Sequence, residues 1–243
     1  MKDLGHLRYF LRIMVVYSSS EYLLSQKKYI SDMLQHATLA NASFATSPPV
    51  TTPMELHLKL RQSDGDPLPN PTRYRELVGA LIYFSATRPD ISYVVHTLSQ
   101  FMAMPTTVHY DTMLRLLLYL QGTITRSLLF PSESSLMLRA YTDAGWVDDL
   151  DTRRSTTGYC IFLGSSLLSW RSKRQHRVSR SSTKAEYCVI ADTTLEIHWL
   201  RHLLHDLGVS IPSLVPLYCD NTSAIQNASN PVPMAGVHGL HKA

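Results

Sequence analysis

The sequence predicts an α/β (α+β) chain in which a mainly helical first half precedes a mixed sheet with flanking helices. Three observations carry this reading. From Pro71 to Gln121 apolar residues recur at helical spacing. After Pro131 they alternate as in strands, and one long helical run and a further strand follow. Clusters of proline, glycine, serine and aspartate punctuate the chain between these regions.

Element by element, Leu7–Tyr17 alternates as a strand, Ser18–Glu21 is a polar turn and Tyr22–Leu24 resumes the strand, which reads as a β-hairpin. Lys28–His36 is a short helix with Ile30, Met33 and Leu34 on one face. Thr46–Pro53 is extended, because proline restricts itself and its predecessor, and Ser63–Pro71 is a surface loop. Three amphipathic helices come next. Their apolar faces are Tyr74, Leu77, Val78, Leu81, Ile82; then Ile91, Val94, Val95, Leu98, Phe101, Met102; then Tyr110, Met113, Leu114, Leu117, Leu118. They read as a helical subdomain with its own core. Leu136–Thr142, Thr157–Leu163 and Leu167–Arg171 read as strands, Thr183–Leu207 as a long helix ended by Gly208, and Leu214–Cys219 as a strand opening at Asp220-Asn221 into a short helix.

Bulk properties exclude several classes. A chain of 243 residues fits one large domain or two modest ones, and 44% hydrophobic residues suffice for a core, which excludes wholesale disorder. The net charge of +4 leans only slightly toward polyanionic partners, and the 11 histidines add charge only below about pH 6.5. Cys160, Cys188 and Cys219 are odd in number and outside any C-x-x-C pair, so neither a disulfide framework nor a cysteine-based zinc site is indicated. No signal peptide or membrane span is read, so an intracellular (cytoplasmic or nuclear) location is expected.

Three acidic residues stand at the ends of predicted elements: Asp143 in Tyr141-Thr-Asp-Ala-Gly-Trp146, Glu186 in the first turn of the long helix, and Asp220 in Tyr218-Cys-Asp-Asn221. Strand ends converging on a helix start would gather three carboxylates, a donor set suited to Mg²⁺ or Mn²⁺ rather than zinc. Two such ions about 4 Å apart activate water and stabilise the leaving oxygen in phosphodiester cleavage. Other readings stay open residue by residue. Thr183-x-x-Glu186 is also a capping box, Asp220-Asn221 a helix-entry cap, and Asp143 the start of a turn. Arg171, Lys173, Arg174, Arg177 and Arg180 form a basic run without an acid among them, either a phosphate track or a solvated basic turn. Trp146 and Trp170 read as core residues rather than base-stacking platforms.

At these residues the chain resembles the ribonuclease H domain of copia-type retrotransposon Pol polyproteins. The resemblance rests on Tyr141–Trp146, Asp151–Cys160, Phe162–Gly164, Val178–Ser182, Ala185–Tyr187, Trp199–Arg201 and Tyr218–Asn221. The preceding part is similar to the tail of the same polyprotein's reverse transcriptase. The matching motifs there are Met1–Gly5, Tyr9–Leu11, Gln26–Ile30, Leu77–Leu81, Thr87–Ile91 and Tyr119–Gly122. The resemblance implies residues 1–130 as a thumb- or connection-like segment and 131–243 as a ribonuclease H-like domain, truncated at its C-terminus. It further implies that Asp143, Glu186 and Asp220 hold two Mg²⁺ or Mn²⁺ ions and cut the RNA strand of an RNA–DNA hybrid. The rest of the Pol polyprotein is then a partner, and a membrane is not.

Departures from the family pattern are specific. The paired aspartates of the polymerase are expected upstream of Met1, so no DNA synthesis is expected. Arg12 stands where the family has glycine. After Asn230-Pro-Val232 the sequence leaves the pattern, so the fourth carboxylate and the closing part of the fold are expected to be missing. Two further hypotheses follow: a catalytically dead remnant that at most binds nucleic acid, and an integrase- or transposase-type nuclease. The latter carry their glutamate after the second aspartate. The order Asp–Glu–Asp here favours ribonuclease H.

Overall fold

The computed structural model of the protein describes residues 7–40, 46–212, 214–230 and 240–242. The Met1–Gly5 motif and the divergent Pro233–Gly239 stretch lie outside them. The chain falls into two compact units, Met1–Ser132 and Glu133–Ala243.

In the first unit, β1 (Tyr9–Phe10), β2 (Ile13–Tyr17), β3 (Glu21–Ser25) and β4 (Leu128–Pro131) make an antiparallel sheet in that order. The strand expected over Leu7–Tyr17 is broken in two. Leu11 and Arg12 have φ of 46° and 59°, the chain reverses there, and Phe10 pairs with Ile13. Two-residue reversals between strands require left-handed backbone at both positions, which glycine adopts without the Cβ penalty. The departure at Arg12 therefore falls on a position with a physical demand for glycine. The strand β4 was not expected from the sequence; it pairs with β3 from Glu21↔Pro131 to Leu24↔Leu128.

Among the described residues, capping and periodicity account for the following four helices. They are α1 (Lys27–Ala40), α2 (Pro71–Phe84), α3 (Ser92–Ser99, entered through a 3-10 turn at Pro89–Ile91) and α4 (Thr107–Gly122). Asn70 caps α2 by accepting from the Thr72 N–H, and Pro71 supplies a first residue whose missing N–H costs nothing. The buried faces of α1 and α3 are the expected ones, with Ile30, Met33 and Leu34 and then Ile91, Val94, Val95, Leu98 and Phe101 inside, whereas those of α2 and α4 are rotated. In α2, Phe84 is buried and Ile82 is 47% exposed. In α4, His109, Thr112, Leu116, Tyr119 and Leu120 join Met113 and Leu117 inside, whereas Tyr110, Leu114 and Leu118 are only partly buried. The long apolar run of α4 offers more hydrophobic residues than one face can hold, so tertiary packing selects among them.

The second unit is a five-stranded mixed sheet in the order β7-β6-β5-β8-β9. Its strands are β5 (Leu138–Gly145), β6 (Thr156–Leu163), β7 (Ser166–Arg174), β8 (Leu217–Cys219) and β9 (Leu240–Lys242). β8 runs parallel to both β5 and β9, and β6 is antiparallel to its two neighbours. The strand β9, three described residues, adds an edge strand beside β8.

The 25-residue helix α5 (Ser182–Asp206) packs Ile190, Ile197, Leu200 and Leu204 against Leu138, Ala140, Ile161 and Leu217 of the sheet. It ends at Gly208, whose φ of 80° closes the helix. A short helix, α6 (Thr222–Ser229), follows β8. No helix among the described residues is long and apolar enough to cross a membrane.

Candidate functional site

Strand alternation places Asp143. Along β5, Leu138, Ala140, Thr142 and Ala144 point inward and Arg139, Tyr141 and Asp143 outward. The structure thus puts Asp143 within a strand, two residues from its end, and not at a turn. The parallel register Tyr141↔Tyr218 between β5 and β8 sets Asp143 level with Asp220, each two residues beyond the paired tyrosines. Those tyrosines stack, with ring centroids 4.9 Å apart. Asn221 caps α6 by accepting from the Ala224 N–H at 2.9 Å, so the capping role falls to Asn221 and not to Asp220.

Glu186 comes from the opposite side of the sheet. Ser181 is the N-cap of α5 and accepts from the Lys184 N–H. This overturns the capping-box reading of Glu186. Its carboxylate instead crosses to β5 and accepts the Ala144 N–H at 3.0 Å. The side chain is 5% exposed.

Among the described residues, the charges acting on Asp143 and Glu186 are those of other carboxylates. Burial raises the pKa of Glu186 to about 7, and the charges of Asp143 and Asp220 add to the shift against the opposing Ala144 hydrogen bond. Burial also raises Asp143, with the Asp220 and Asp148 carboxylates pushing the same way. Each charge disfavours ionisation of its neighbours. A divalent cation reverses this by binding the ionised forms, and an oxygen-rich donor set of this kind fits Mg²⁺ or Mn²⁺. Among the described residues, Glu186, Cys219 and Asp220 each bring a ligand atom within 4.8 Å of the other two, while Asp143 acts on Glu186 through its charge and is not one of that group.

Two participants escaped the sequence reading. Asp148 lies against Gly145, where any Cβ would overlap its carboxylate, so the Ala-Gly step after Asp143 keeps room for it. Cys219 is fully buried, and its thiol donates to Glu186 Oε2 at 3.8 Å. Burial is the main influence raising that thiol's pKa, opposed by the Asn221 backbone N–H. The available signal was alternation: a residue beside an outward strand-end aspartate points inward, toward the helix that carries Glu186.

Four of the five residues of the basic run, Arg171, Lys173, Arg174 and Arg177, line a groove of about 550 Å³ between β7 and α5; Arg180 does not. The helix wall carries Asp192 and Glu196, so the groove is bipolar rather than uniformly basic. Arg174 is also bound internally, pairing with Asp149, whose carboxylate accepts the backbone N–H groups of Asp151 and Thr152. The core reading of the tryptophans does not hold. Trp146 is 47% exposed and donates its indole N–H to the Ser179 carbonyl, and Trp170 is only partly buried.

Comparison with protein-family models finds no match, and no solved structure matches. Curated proteins do match. The chain is 44% identical over 232 residues, 96% of its length, to the retrovirus-related Pol polyprotein from transposon RE1 of Arabidopsis thaliana. It is 36% identical over 95% of its length to the corresponding polyprotein from transposon TNT 1-94 of Nicotiana tabacum. A mitochondrial protein of Arabidopsis thaliana is 43% identical, with 82% of this chain covering 80% of it. The chain spans 16% and 18% of the length of the two transposon polyproteins. With identity of this level running through both units, the chain belongs to the copia-type retrotransposon Pol polyproteins.

Proposed function

We propose that the second unit is a ribonuclease H-like domain that hydrolyses the RNA strand of RNA–DNA hybrids with two Mg²⁺ or Mn²⁺ ions. The observation carrying this reading is the convergence of Asp143, Glu186 and Asp220 from two parallel strand ends and a helix start. Burial first, and then the charges of Asp143 and Asp220, raise Glu186 to about 7. A buried carboxyl beside two exposed like charges is costly to ionise and has a rationale where a cation is to be held.

When bound, the metal ions supply Lewis-acid activation of water and of the scissile phosphate. The chain's own groups do the rest. Asp143 and Asp220 present exposed carboxylates at one level of the sheet. The Ala144 N–H holds one Glu186 oxygen in place and leaves the other facing Cys219. Arg171, Lys173 and Arg177 offer cations to the phosphates of a bound hybrid. The first unit lies, on this reading, in the part of Pol that follows the polymerase active site.

The test is cleavage of a labelled RNA–DNA hybrid in Mg²⁺ by the whole chain and by Asp143→Asn. The expected outcome is RNA-strand cleavage that falls by about 10²–10³ in the variant, the usual effect of losing one preorganised electrostatic element. Equal cleavage by the two proteins removes the metal assignment, and salt-sensitive hybrid binding without any cleavage establishes the dead-remnant alternative.

A further inference from the structure

We infer that Glu186, Cys219 and Asp220 also form a mixed sulfur–oxygen site for thiophilic divalent cations, Zn²⁺ or Cd²⁺, that competes with oxygen-only use of the same carboxylates. The competition rests on the proposed function; binding of the soft cation does not.

One ligand atom from each of these three residues lies within 4.8 Å of the other two. A single cation contacting all three needs donors about that far apart or closer, since metal–sulfur and metal–oxygen bonds run about 2.0–2.3 Å. The thiol is already turned into this group, because its present hydrogen-bond acceptor is Glu186 Oε2. Asp220 is exposed and offers an entry path, while Cys219 and Glu186 form the buried floor. Cys160, two strands over on β6, and Cys188, further along α5, are not part of the group.

The donor chemistry decides which cation profits. Mg²⁺ gains nothing from sulfur, whereas Zn²⁺ and Cd²⁺ bind a thiolate far more strongly than a carboxylate alone. Binding replaces the Sγ–H···Oε2 hydrogen bond by a sulfur–metal bond, and the thiol proton leaves to solvent. Three protein donors leave a fourth tetrahedral position to water. A cation so held occupies Glu186 and Asp220 and withholds both from Mg²⁺.

The test is titration of the full chain with Cd²⁺, followed through the ultraviolet sulfur-to-cadmium charge-transfer band, which no carboxylate produces. Four proteins are compared: the unaltered chain, Cys160→Ser/Cys188→Ser, Cys219→Ser and Glu186→Gln. The band is expected in the unaltered chain and the double variant, saturating near about one equivalent, and not in Cys219→Ser. Glu186→Gln, which keeps the thiol, retains the band with affinity weakened by roughly tenfold or more, since loss of even an outer-shell partner costs 10–100-fold. A band that survives in Cys219→Ser, disappears in the double variant, or is insensitive to Glu186→Gln overturns the site.

Micromolar Cd²⁺ is then expected to slow Mg²⁺-dependent hybrid cleavage in the unaltered chain and to spare Cys219→Ser. If the chain cleaves no hybrid, the charge-transfer band still decides the soft-metal site. If it cleaves but shows no band, the soft-metal site alone falls.

Discussion

Asp90 in the first unit and Glu186 in the second are both carboxylates drawn into the protein, and their surroundings push them in opposite directions. Burial acts to raise each. At Asp90 it is outweighed by Arg88, Tyr119 and Arg126, and the carboxyl titrates below its ordinary range. Arg88 is 2% exposed and donates to both Asp90 oxygens, at 2.9 and 2.7 Å, while its remaining N–H groups reach Thr123. Tyr119 donates to the same carboxylate at 2.7 Å. Glu186 has a backbone N–H, a thiol and two further carboxylates for company. A buried charge with its partners present is a strut; a buried carboxyl beside like charges is one whose ionisation costs stability.

The largest expected effect breaks the strut. Asp90→Ala leaves the Arg88 guanidinium buried without its counter-charge, and removing one partner of a buried pair costs about 3–5 kcal/mol. Urea unfolding, with hydrogen exchange of α4 amides to localise the loss to the first unit, checks this. A loss below about 1 kcal/mol would show the pair behaving as an exposed one.

Glu186→Gln should act with the opposite sign. A carboxyl whose folded pKa is raised binds protons more tightly when folded, so its ionisation costs stability. That cost begins near pH 4.5, grows as pH rises, and is complete above about pH 7. With divalent ions chelated, the variant should gain on the order of 3 kcal/mol at pH 8 and lose the decline between those limits. Melting curves at several pH values in chelator decide it, and an unchanged slope would show that Glu186 is not charged at a cost.

The smallest effect concerns the reversal between β1 and β2. Arg12→Gly relieves a left-handed backbone that costs an ordinary residue about 1–2 kcal/mol. It forfeits the guanidinium packed 4.3 Å from the Tyr29 ring, worth about 0.5–1 kcal/mol. A net gain of about 0.5–1 kcal/mol in the first unit is expected by urea unfolding, and a loss would make the ring contact the dominant of the two terms.

The contrast also separates what was legible from what was not. Thr87-Arg-Pro-Asp-Ile91 stood out as a motif, but its meaning depends on Tyr119 and Arg126, brought in from about thirty residues away by α4 and the turn after it. Asp143, Glu186 and Asp220 were singled out because they sit at element ends. Local readings as caps competed, and only the contacts of Ser181 and Asn221 removed them. Asp148 and Cys219 stayed hidden because nothing local distinguishes a loop aspartate or an inward strand cysteine. The helix faces of α2 and α4 were misjudged for a related reason: a segment apolar on several sides does not say which side meets a neighbour.

By itself the sequence determined the order and kind of most elements, since hydrophobic period, caps and breakers act over a few residues. It also determined family membership, through ordered motifs spread across the chain. Tertiary structure alone decided the pairing of β4 with β3, the edge strand β9, the split at Leu11–Arg12, and the meeting of Glu186 and Asp220 with a thiol. Each of these depends on residues distant in sequence, or on a reversal whose backbone strain is offset by pairing elsewhere. The carboxylates could be named from the sequence, but only the parallel register of β5 and β8 and the crossing of Glu186 to Ala144 made them neighbours.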